Sequence, residues 1–294
     1  MRDDVLTSIN KRVLQDSNCF LLYTDVSGVE IPKSDRILVE GICEANIIGM
    51  ASGIASENNV VYVNGLACFL VRRAYEHIYI DVGLHNFPVR IVGTAAGSSI
   101  FNMGRTHQIY EDFTLMNTIE NMSFVIPSSA KDMICIDRQI GGEVGPVYYR
   151  LSWDERILRP EISLEFGVPS IVKNGRSWLI IYSGPMYDKS LKVANYLGER
   201  GNDCSIVYLH SINSETNSHL KKMIESFDNI VSIEDHYVNA GIGDYIFSCI
   251  NSNSITKKVF KKIGIKKIIE KKYESNIDLL NTNLCGFDDC KYWS

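Results

Sequence analysis

Several short motifs that mark common catalytic sites are absent from this 294-residue sequence. It has no G-x-x-x-x-G-K-[ST], no H-E-x-x-H and no G-x-S-x-G, and no G-x-G-x-x-G follows its first predicted strand. Common nucleotide, zinc and esterase functions therefore lose support. Also missing is a Gly-Asp-Gly with a downstream Asn, which would hold a divalent metal and a diphosphate. The nearest sequence is Gly243-Asp244-Tyr245, which lies in the wrong domain context.

The sequence also lacks a strong charge imbalance and a long apolar run. Thirty Lys and Arg residues against 35 Asp and Glu residues leave a net charge of −5, which offers no general attraction for nucleic acid or anionic lipid. No window is apolar enough for a membrane span, and the N-terminal MRDDVLTSIN has no signal-peptide core. Hydrophobic residues make up 45% of the chain, as in globular proteins with one large or two medium domains. We therefore expect a cytoplasmic protein that binds neither nucleic acid nor membranes.

The eight cysteines are scattered without a C-x-x-C pair, and several lie in apolar runs. This distribution favours reduced thiols over a disulfide framework or a zinc site. Cys285 and Cys290 lie near a polar tail. They can be free surface thiols, form a disulfide or supply half of a metal site, and the sequence leaves these alternatives open.

Short apolar runs alternate with segments of helical period along almost the whole chain, a pattern typical of parallel sheets with crossover helices. We expect two consecutive three-layer α/β domains with mainly parallel sheets, residues 1–158 and 176–294, joined by a polar, proline-containing linker at residues 159–175. The candidate strands are residues 19–26, 36–41, 59–65, 88–94, 122–128 and 147–152 in the first domain, and 177–184, 204–211 and 230–236 in the second.

The one strongly basic segment, residues 257–272, has eight Lys against one Glu. Isoleucines and a phenylalanine are interleaved with the lysines. This pattern favours a lysine-flanked strand and a short helix over a nucleic-acid site.

A chemically informative segment is GICEANIIGMASGIA, residues 41–55. A predicted strand ends at Gly41 and a helix begins near Glu44. The helix dipole alone favours a carboxylate in the first turn, so Glu44 can be a structural residue. It also follows the carboxyl end of a strand, where open α/β sheets bind their ligands. Both interpretations of Glu44 stay open on this evidence.

Together with three later segments, this one resembles the pyrimidine-binding domain of transketolases, in family order and at family spacing. Residues 177–184, 204–212 and 231–243 resemble the transketolase C-terminal domain. The resemblance implies a thiamine-diphosphate-dependent ketol transferase whose missing metal and diphosphate site, with Mg²⁺, lies on an N-terminal subunit, in an α2β2 split transketolase. The later segments are FLVRRAYEHIYIDVGLHNFPVRIVGT (69–94), GRTHQIYEDFTLM (104–116) and GPVYYRLS (145–152).

Family roles carry over to five positions that would form the catalytic and cofactor site. The essential family Glu falls on Glu44, which would hydrogen-bond the aminopyrimidine of thiamine diphosphate and promote its imino tautomer. Phe69 would stack on that ring, and Asp25 matches an Asp near the cofactor. Arg72 matches an Arg of the related deoxyxylulose-phosphate synthases. His107 falls on an active-site His that contacts substrate oxygens and can relay protons.

On the substrate side the sequence departs from the family. Arg2 falls where the family has a phosphate-contacting Arg, and Leu66 replaces an aromatic residue near the cofactor. Met103 replaces an Asp that contacts donor hydroxyls, Ala95 a His, and Trp153 an Arg that grips the sugar phosphate. We therefore expect sugar substrates with a non-standard acceptor, such as a nucleotide-linked sugar or a specialised-metabolism intermediate.

Two alternatives remain at this point. One is the β subunit of a 2-oxo-acid dehydrogenase-type enzyme, which the sequences Arg72-Arg73-Ala74-Tyr75 and Thr-His-Gln-x-x-Glu-Asp disfavour. The other is a non-catalytic regulatory subunit of a transketolase-like assembly. Leu66 and Met103 favour that interpretation, whereas Glu44, Phe69 and His107 oppose it.

Overall fold

The computed structural model describes residues 1–24, 30–97, 99–100, 103–153, 159–252 and 259–266. Strands and helices alternate along the first part of the chain, as the apolar pattern predicts. The strands there are β1 (Cys19–Tyr23), β2 (Ile37–Val39), β3 (Val60–Leu66), β4 (Val89–Thr94), β5 (Ser123–Val125) and β6 (Val147–Arg150). The helices are α1 (Arg2–Gln15), α2 (Glu44–Ala55), α3 (Ala67–His77, continued by a π-helical segment Ile78–Gly83), α4 (Asp112–Met116) and α5 (Ala130–Asp137).

The alternation continues in the second part of the chain. Its strands are β7 (Ser170–Lys173), β8 (Trp178–Tyr182), β9 (Cys204–Tyr208), β10 (Ser211–Ile212), β11 (Asn229–Tyr237) and β12 (Val259–Ile265). Its helices are α6 (Tyr187–Gly198), α7 (Thr216–Glu225) and α8 (Ile242–Ser252).

These strands form two mostly parallel sheets, which confirms the predicted fold class. The first has seven strands in the order β10-β5-β6-β4-β3-β1-β2, and the second has five in the order β12-β11-β8-β9-β7. Only β10, beside β5, and β7, beside β9, pair antiparallel within the described residues.

Helices cover both faces of the first sheet, so its strands are buried on both sides. Successive side chains point to opposite faces. Leu22, Val61, Val63 and Ile91 pack on one face with α2 and α3, and Leu21, Tyr23, Tyr62 and Tyr149 pack on the other with α1 and α5. This layering holds the carboxyl ends of β1 to β4 and β6 at one edge of a rigid sheet.

The expected linker differs from the structure. Residues 170–173 of the proposed linker form β7, an edge strand of the second sheet. Strand β10 also crosses over, because it belongs to the second half of the chain and pairs with β5 of the first sheet. The two units are therefore tied together by backbone hydrogen bonds as well as by side chains.

Other expectations are met or fall outside the described residues. The basic segment contains β12, as predicted, while its expected short helix lies beyond residue 266 and outside the described residues. The same holds for Cys285 and Cys290. The six cysteines that the structure describes are free thiols. None of the described helices is long and apolar enough to traverse a bilayer.

Candidate active site

Four of the predicted site residues follow the carboxyl ends of strands in the first sheet. Glu44 follows β2, Phe69 follows β3, His107 follows β4 and Trp153 follows β6. Parallel strands bring these ends to the same edge, where α/β sheets form their binding sites. The topology therefore gathers residues that are far apart in the sequence.

Glu44 occupies the first turn of α2 and is only 4% exposed. The preceding Cys43 makes no side-chain cap to the helix, so the Glu44 carboxylate is the acidic group at this N-terminus. A buried carboxylate needs a charged or hydrogen-bonding partner.

The partner is Arg73 on α3. Its Nη1 donates hydrogen bonds to Glu44 Oε1 at 3.2 Å and to Oε2 at 3.1 Å. The same guanidinium lies over Phe69, with its central carbon 4.1 Å from the ring centroid. Phe69 and Arg73 are four residues apart in α3 and so share a helix face. One planar cation thus touches both the buried carboxylate and the aromatic ring.

His107 also contacts the Phe69 ring. The two ring centroids are 5.2 Å apart, in an edge-to-face arrangement. His107 Nδ1 is hydrogen-bonded to Thr106 Oγ1 at 2.9 Å, and its backbone N–H donates to the Gly104 carbonyl at 3.0 Å. The structure therefore brings Glu44, Phe69 and His107 into one continuous cluster, which we call the Glu44 cluster together with Arg73.

Arg72, which the sequence predicts to lie near the cofactor, bonds to the segment that follows His107. Its Nε donates to Glu111 Oε1 at 2.8 Å, and its Nη2 donates to the Gln108 carbonyl at 2.9 Å. These bonds brace the turn that carries His107. The arginine that reaches Glu44 is Arg73, which sequence reasoning missed although its spacing of four residues from Phe69 was a usable signal.

A second group of predicted residues also meets in space. The Arg2 guanidinium lies 4.9 Å from the centroid of the Trp153 ring. The backbone N–H of Trp153 donates to Ser99 Oγ at 2.8 Å. Trp153 is 46% exposed and Met103 is 49% exposed, so both present apolar surface to solvent. This Arg2–Trp153 pair is a flat apolar surface with one cation on it.

Leu66 and Asp25 are the other positions predicted near the cofactor. Leu66 is the last residue of β3 and the N-cap of α3, half-buried one turn before Phe69. Asp25 lies outside the described residues. Among the residues that the structure describes, no three His, Cys, Asp or Glu side chains are grouped so that they could hold a metal ion.

A buried polar network supports the loop between β4 and His107. Arg150 Nε donates to Asp112 Oδ2 at 2.9 Å, and Arg150 Nη2 donates to the Asp235 carbonyl at 2.8 Å. Gly97 lies against Asp235 with a positive φ of +67°, and a Cβ there would be 1.8 Å from Asp235 Oδ2. Only glycine fits this position. The network joins β6 and β11 and packs against Gly97, three residues after the end of β4.

Glu234 on β11 is another fully buried carboxyl group. Its Oε1 accepts a hydrogen bond from the Gly243 N–H at 2.9 Å, in the first turn of α8. Its Oε2 lies 3.5 Å from His236 Nδ1. Burial raises the pKa of Glu234 to about 8, although Lys262 and the α8 backbone oppose the change. Glu234 therefore keeps its proton in the folded chain under conditions where the unfolded chain has released it.

We expect Glu234→Gln to become more stable relative to the wild type as the pH rises from 5 to 8. The folded pKa lies above the unfolded one, so the stability from this group is full below pH 4.5 and is lost as the pH rises through 8. The free energy of unfolding of Glu234→Gln, relative to that of the wild type, should rise by roughly 3 kcal/mol between pH 5 and pH 8. Urea unfolding at several pH values measures it, with Glu120→Gln as an exposed control. Parallel pH profiles for wild type and Glu234→Gln would contradict the expectation.

Comparison with known families agrees with the fold. Residues 13–153 match the family model of the transketolase pyrimidine binding domain, and residues 167–276 match that of the transketolase C-terminal domain. The chain belongs to the transketolase family. The resemblance inferred from the motifs is thereby confirmed. The first matched range contains strands β1 to β6 of the first sheet, and the second contains the strands of the second sheet.

Individual relatives of the transketolase family show the extent of the likeness. Over 85% of its length the chain is 31% identical to a putative transketolase C-terminal section of Methanocaldococcus jannaschii, of which it covers 81%. Over 74% of its length it is 29% identical to one subunit of the apulose-4-phosphate transketolase of Actinobacillus succinogenes, of which it covers 70%. A solved structure described as a split gene transketolase, inactive beta4 tetramer, has the same fold, with a TM-score of 0.80 and 23% identity over 96% of this chain and 92% of that one.

Proposed function

We propose that this chain is the C-terminal subunit of a split transketolase and that the Glu44 cluster binds the pyrimidine half of thiamine diphosphate. The observation that carries the proposal is the buried Glu44 carboxylate beside the Phe69 ring, both contacted by the planar guanidinium of Arg73. An aminopyrimidine is also flat and bears hydrogen-bonding nitrogens at its edge, so it can make the same two kinds of contact. The residues present therefore fit this half of the cofactor.

Each residue of the cluster has a distinct task in this proposal. Glu44 hydrogen-bonds a ring nitrogen of the aminopyrimidine and exchanges a proton with it. Phe69 stacks on the ring and excludes water from one face. His107, half-buried beside Phe69, contacts substrate oxygens and relays protons. When bound, thiamine diphosphate supplies the nucleophilic carbon that takes up the two-carbon ketol fragment.

The diphosphate and its Mg²⁺ are assigned to an N-terminal-type subunit, in an α2β2 assembly in the cytoplasm. Three observations support this division. The sequence has no Gly-Asp-Gly with a downstream Asn, and the described residues offer no three-ligand metal cluster. The similar solved structure is described as an inactive beta4 tetramer, which is the behaviour expected of such a chain without its partner.

We expect that the isolated chain does not bind thiamine diphosphate tightly, because half of the proposed site lies on the other subunit. Isothermal titration calorimetry with thiamine diphosphate and Mg²⁺ measures this, first on the chain alone and then on the assembly with an N-terminal-type subunit. Heat should be detected only for the assembly. Tight, Mg²⁺-dependent binding to the chain by itself would overturn the proposed division of the site.

The acceptor is proposed to be non-standard. Met103 lacks an oxygen that could accept hydrogen bonds from sugar hydroxyls, and Trp153 offers a flat apolar face where an arginine is expected. One relative carries the name of an apulose-4-phosphate transketolase and another that of a 6-deoxy-6-sulfo-D-fructose transketolase. Members of the family are therefore named for several different sugar substrates. A larger acceptor that stacks on Trp153 fits this chain.

A non-catalytic subunit is the second candidate. Leu66 beside the cofactor site and Met103 on the substrate side favour it, because each replaces a residue expected in an active transketolase. The Glu44 cluster opposes it, since a purely structural subunit has no need of a buried carboxylate and an aromatic ring that contact the same guanidinium. An assembly that binds the cofactor but shows no ketol transfer with any donor would support this second candidate. The β subunit of a 2-oxo-acid dehydrogenase-type enzyme gains no support from these contacts.

A further inference from the structure

Arg73 makes the two contacts that the proposed function assigns to the cofactor's pyrimidine ring. We propose that the Arg73 side chain occupies the place of the aminopyrimidine in the cofactor-free chain and is displaced when the cofactor binds. The inference rests on the proposed function, because it takes Glu44 and Phe69 as the pyrimidine site. It adds a residue that regulates access to that site.

The hydrogen-bond geometry shows why Arg73 and the ring exclude each other at Glu44. Nη1 lies at nearly equal distances from the two carboxylate oxygens, 3.2 Å from Oε1 and 3.1 Å from Oε2. The Glu44 side chain is buried, so its oxygens are reached from few directions. A nitrogen that already faces both oxygens occupies the approach that a ring nitrogen would need.

The aromatic contact gives the same result independently. The Arg73 guanidinium carbon lies 4.1 Å from the Phe69 centroid, which is the separation of two stacked planar groups. A pyrimidine stacked on that face of Phe69 would have to lie at a similar distance. The ring therefore cannot take this position until the guanidinium has moved.

Arg73 is free enough to move, whereas its neighbour Arg72 is not. The Arg73 side chain is 51% exposed. Arg72 is held by hydrogen bonds to Glu111 and to the Gln108 carbonyl, which brace the His107 turn. Rotation about the long side chain of Arg73 would carry its head into solvent without disturbing that turn. Arg72 is therefore held in place, whereas Arg73 can move.

A side chain that covers the site lowers the apparent affinity for the cofactor. If the open arrangement makes up about one molecule in ten, binding is about tenfold weaker than the intrinsic value. Arg73→Ala removes both the ion pair and the stacked group, so we expect about tenfold tighter binding and faster association. Arg73→Lys keeps a cation near Glu44 without a planar group over Phe69, and it should bind about two- to threefold tighter than wild type.

The test measures the dissociation constant and association rate of thiamine diphosphate with Mg²⁺, by stopped-flow fluorescence, on the chain assembled with an N-terminal-type subunit. The variants are Arg73→Ala, Arg73→Lys and the double variant Arg73→Ala with Phe69→Ala. Arg200→Ala is the matched control, because Arg200 also lies over an aromatic ring, 3.6 Å from the centroid of Tyr196, but in the second half of the chain. It should bind as the wild type does.

The outcomes separate the inference from the proposed function. Tighter binding by both Arg73 variants supports the displacement of Arg73. Equal or weaker binding by them overturns it, and Arg73→Lys alone decides if Arg73→Ala does not fold. With Arg73 already removed, Phe69→Ala loses the proposed contact with the pyrimidine ring together with the edge-to-face contact with His107, so it should weaken binding about tenfold. If it changes nothing, the pyrimidine site is wrongly placed and both the proposed function and the inference fail.

Discussion

Xylulose 5-phosphate and ribose 5-phosphate are expected to be poor substrates of the assembled enzyme. An enzyme on its own substrate commonly reaches a kcat/KM of about 10⁴ to 10⁵ M⁻¹s⁻¹. With xylulose 5-phosphate and ribose 5-phosphate we expect a kcat/KM that is roughly two to four decades lower. The reason lies in the groups that would meet the sugar phosphate.

A phosphate dianion in a partly desolvated site needs charge-assisted donors, each contributing on the order of 1.5 to 3 kcal/mol. The positions expected to supply a His and an Arg are Ala95 and Trp153. Ala95 is buried, and the exposed Trp153 ring lies beneath the guanidinium of Arg2, which is also paired with Asp3. Neither Ala95 nor Trp153 can donate a charge-assisted hydrogen bond to a phosphate. This loss of donors is the reason that we propose a larger or non-phosphorylated acceptor.

Trp153→Arg tests this reason directly. It restores one charge-assisted donor, so kcat/KM for ribose 5-phosphate should rise about ten- to a hundredfold. Trp153→Phe is the matched control, since it keeps a flat apolar face and adds no donor. A wild-type kcat/KM near 10⁴ to 10⁵ M⁻¹s⁻¹ with xylulose 5-phosphate and ribose 5-phosphate, measured by steady-state assays, would defeat the altered-substrate proposal.

The fold could be predicted from the sequence where burial dominates. Strands β3, β4 and β8 are almost entirely buried, so their apolar runs stand out. Strand β7 alternates between half-buried and exposed residues and lies beyond two prolines in a polar stretch. A half-exposed edge strand of this kind has the composition of a linker, and only its pairing with β9 makes it a strand.

The candidate site was predictable only in part, for a related reason. The motifs indicate Glu44, Phe69 and His107, and the structure places them together. The choice between Arg72 and Arg73 depends on which face of α3 each one lies on. Four residues separate Phe69 from Arg73, which places those two on one face. No sequence pattern marks the network of Asp112, Arg150 and Asp235, because its members come from separate elements and meet only in the folded chain.

Replacing the Glu44 carboxylate by an amide is expected to have the largest effect on the cofactor. Glu44→Gln is nearly isosteric, and an amide still fits beside Arg73 without an unpaired buried charge, so folding should be preserved. An amide cannot take up and return a proton as a carboxylate does. Losing a proton-transfer partner costs about two or more decades in rate. We expect a loss of that size in the exchange of the C2 proton of bound thiamine diphosphate.

The measurement is the rate of C2 proton exchange with deuterium, followed by quenched-flow NMR on the assembly loaded with thiamine diphosphate and Mg²⁺. Wild type, Glu44→Gln and Glu40→Gln are compared, with Glu40 serving as an exposed carboxylate just before α2. The account predicts that Glu44→Gln exchanges about a hundredfold or more slowly while Glu40→Gln exchanges as the wild type does. Unchanged exchange in a folded, cofactor-loaded Glu44→Gln assembly would contradict it and make Glu44 a helix-terminal carboxylate only.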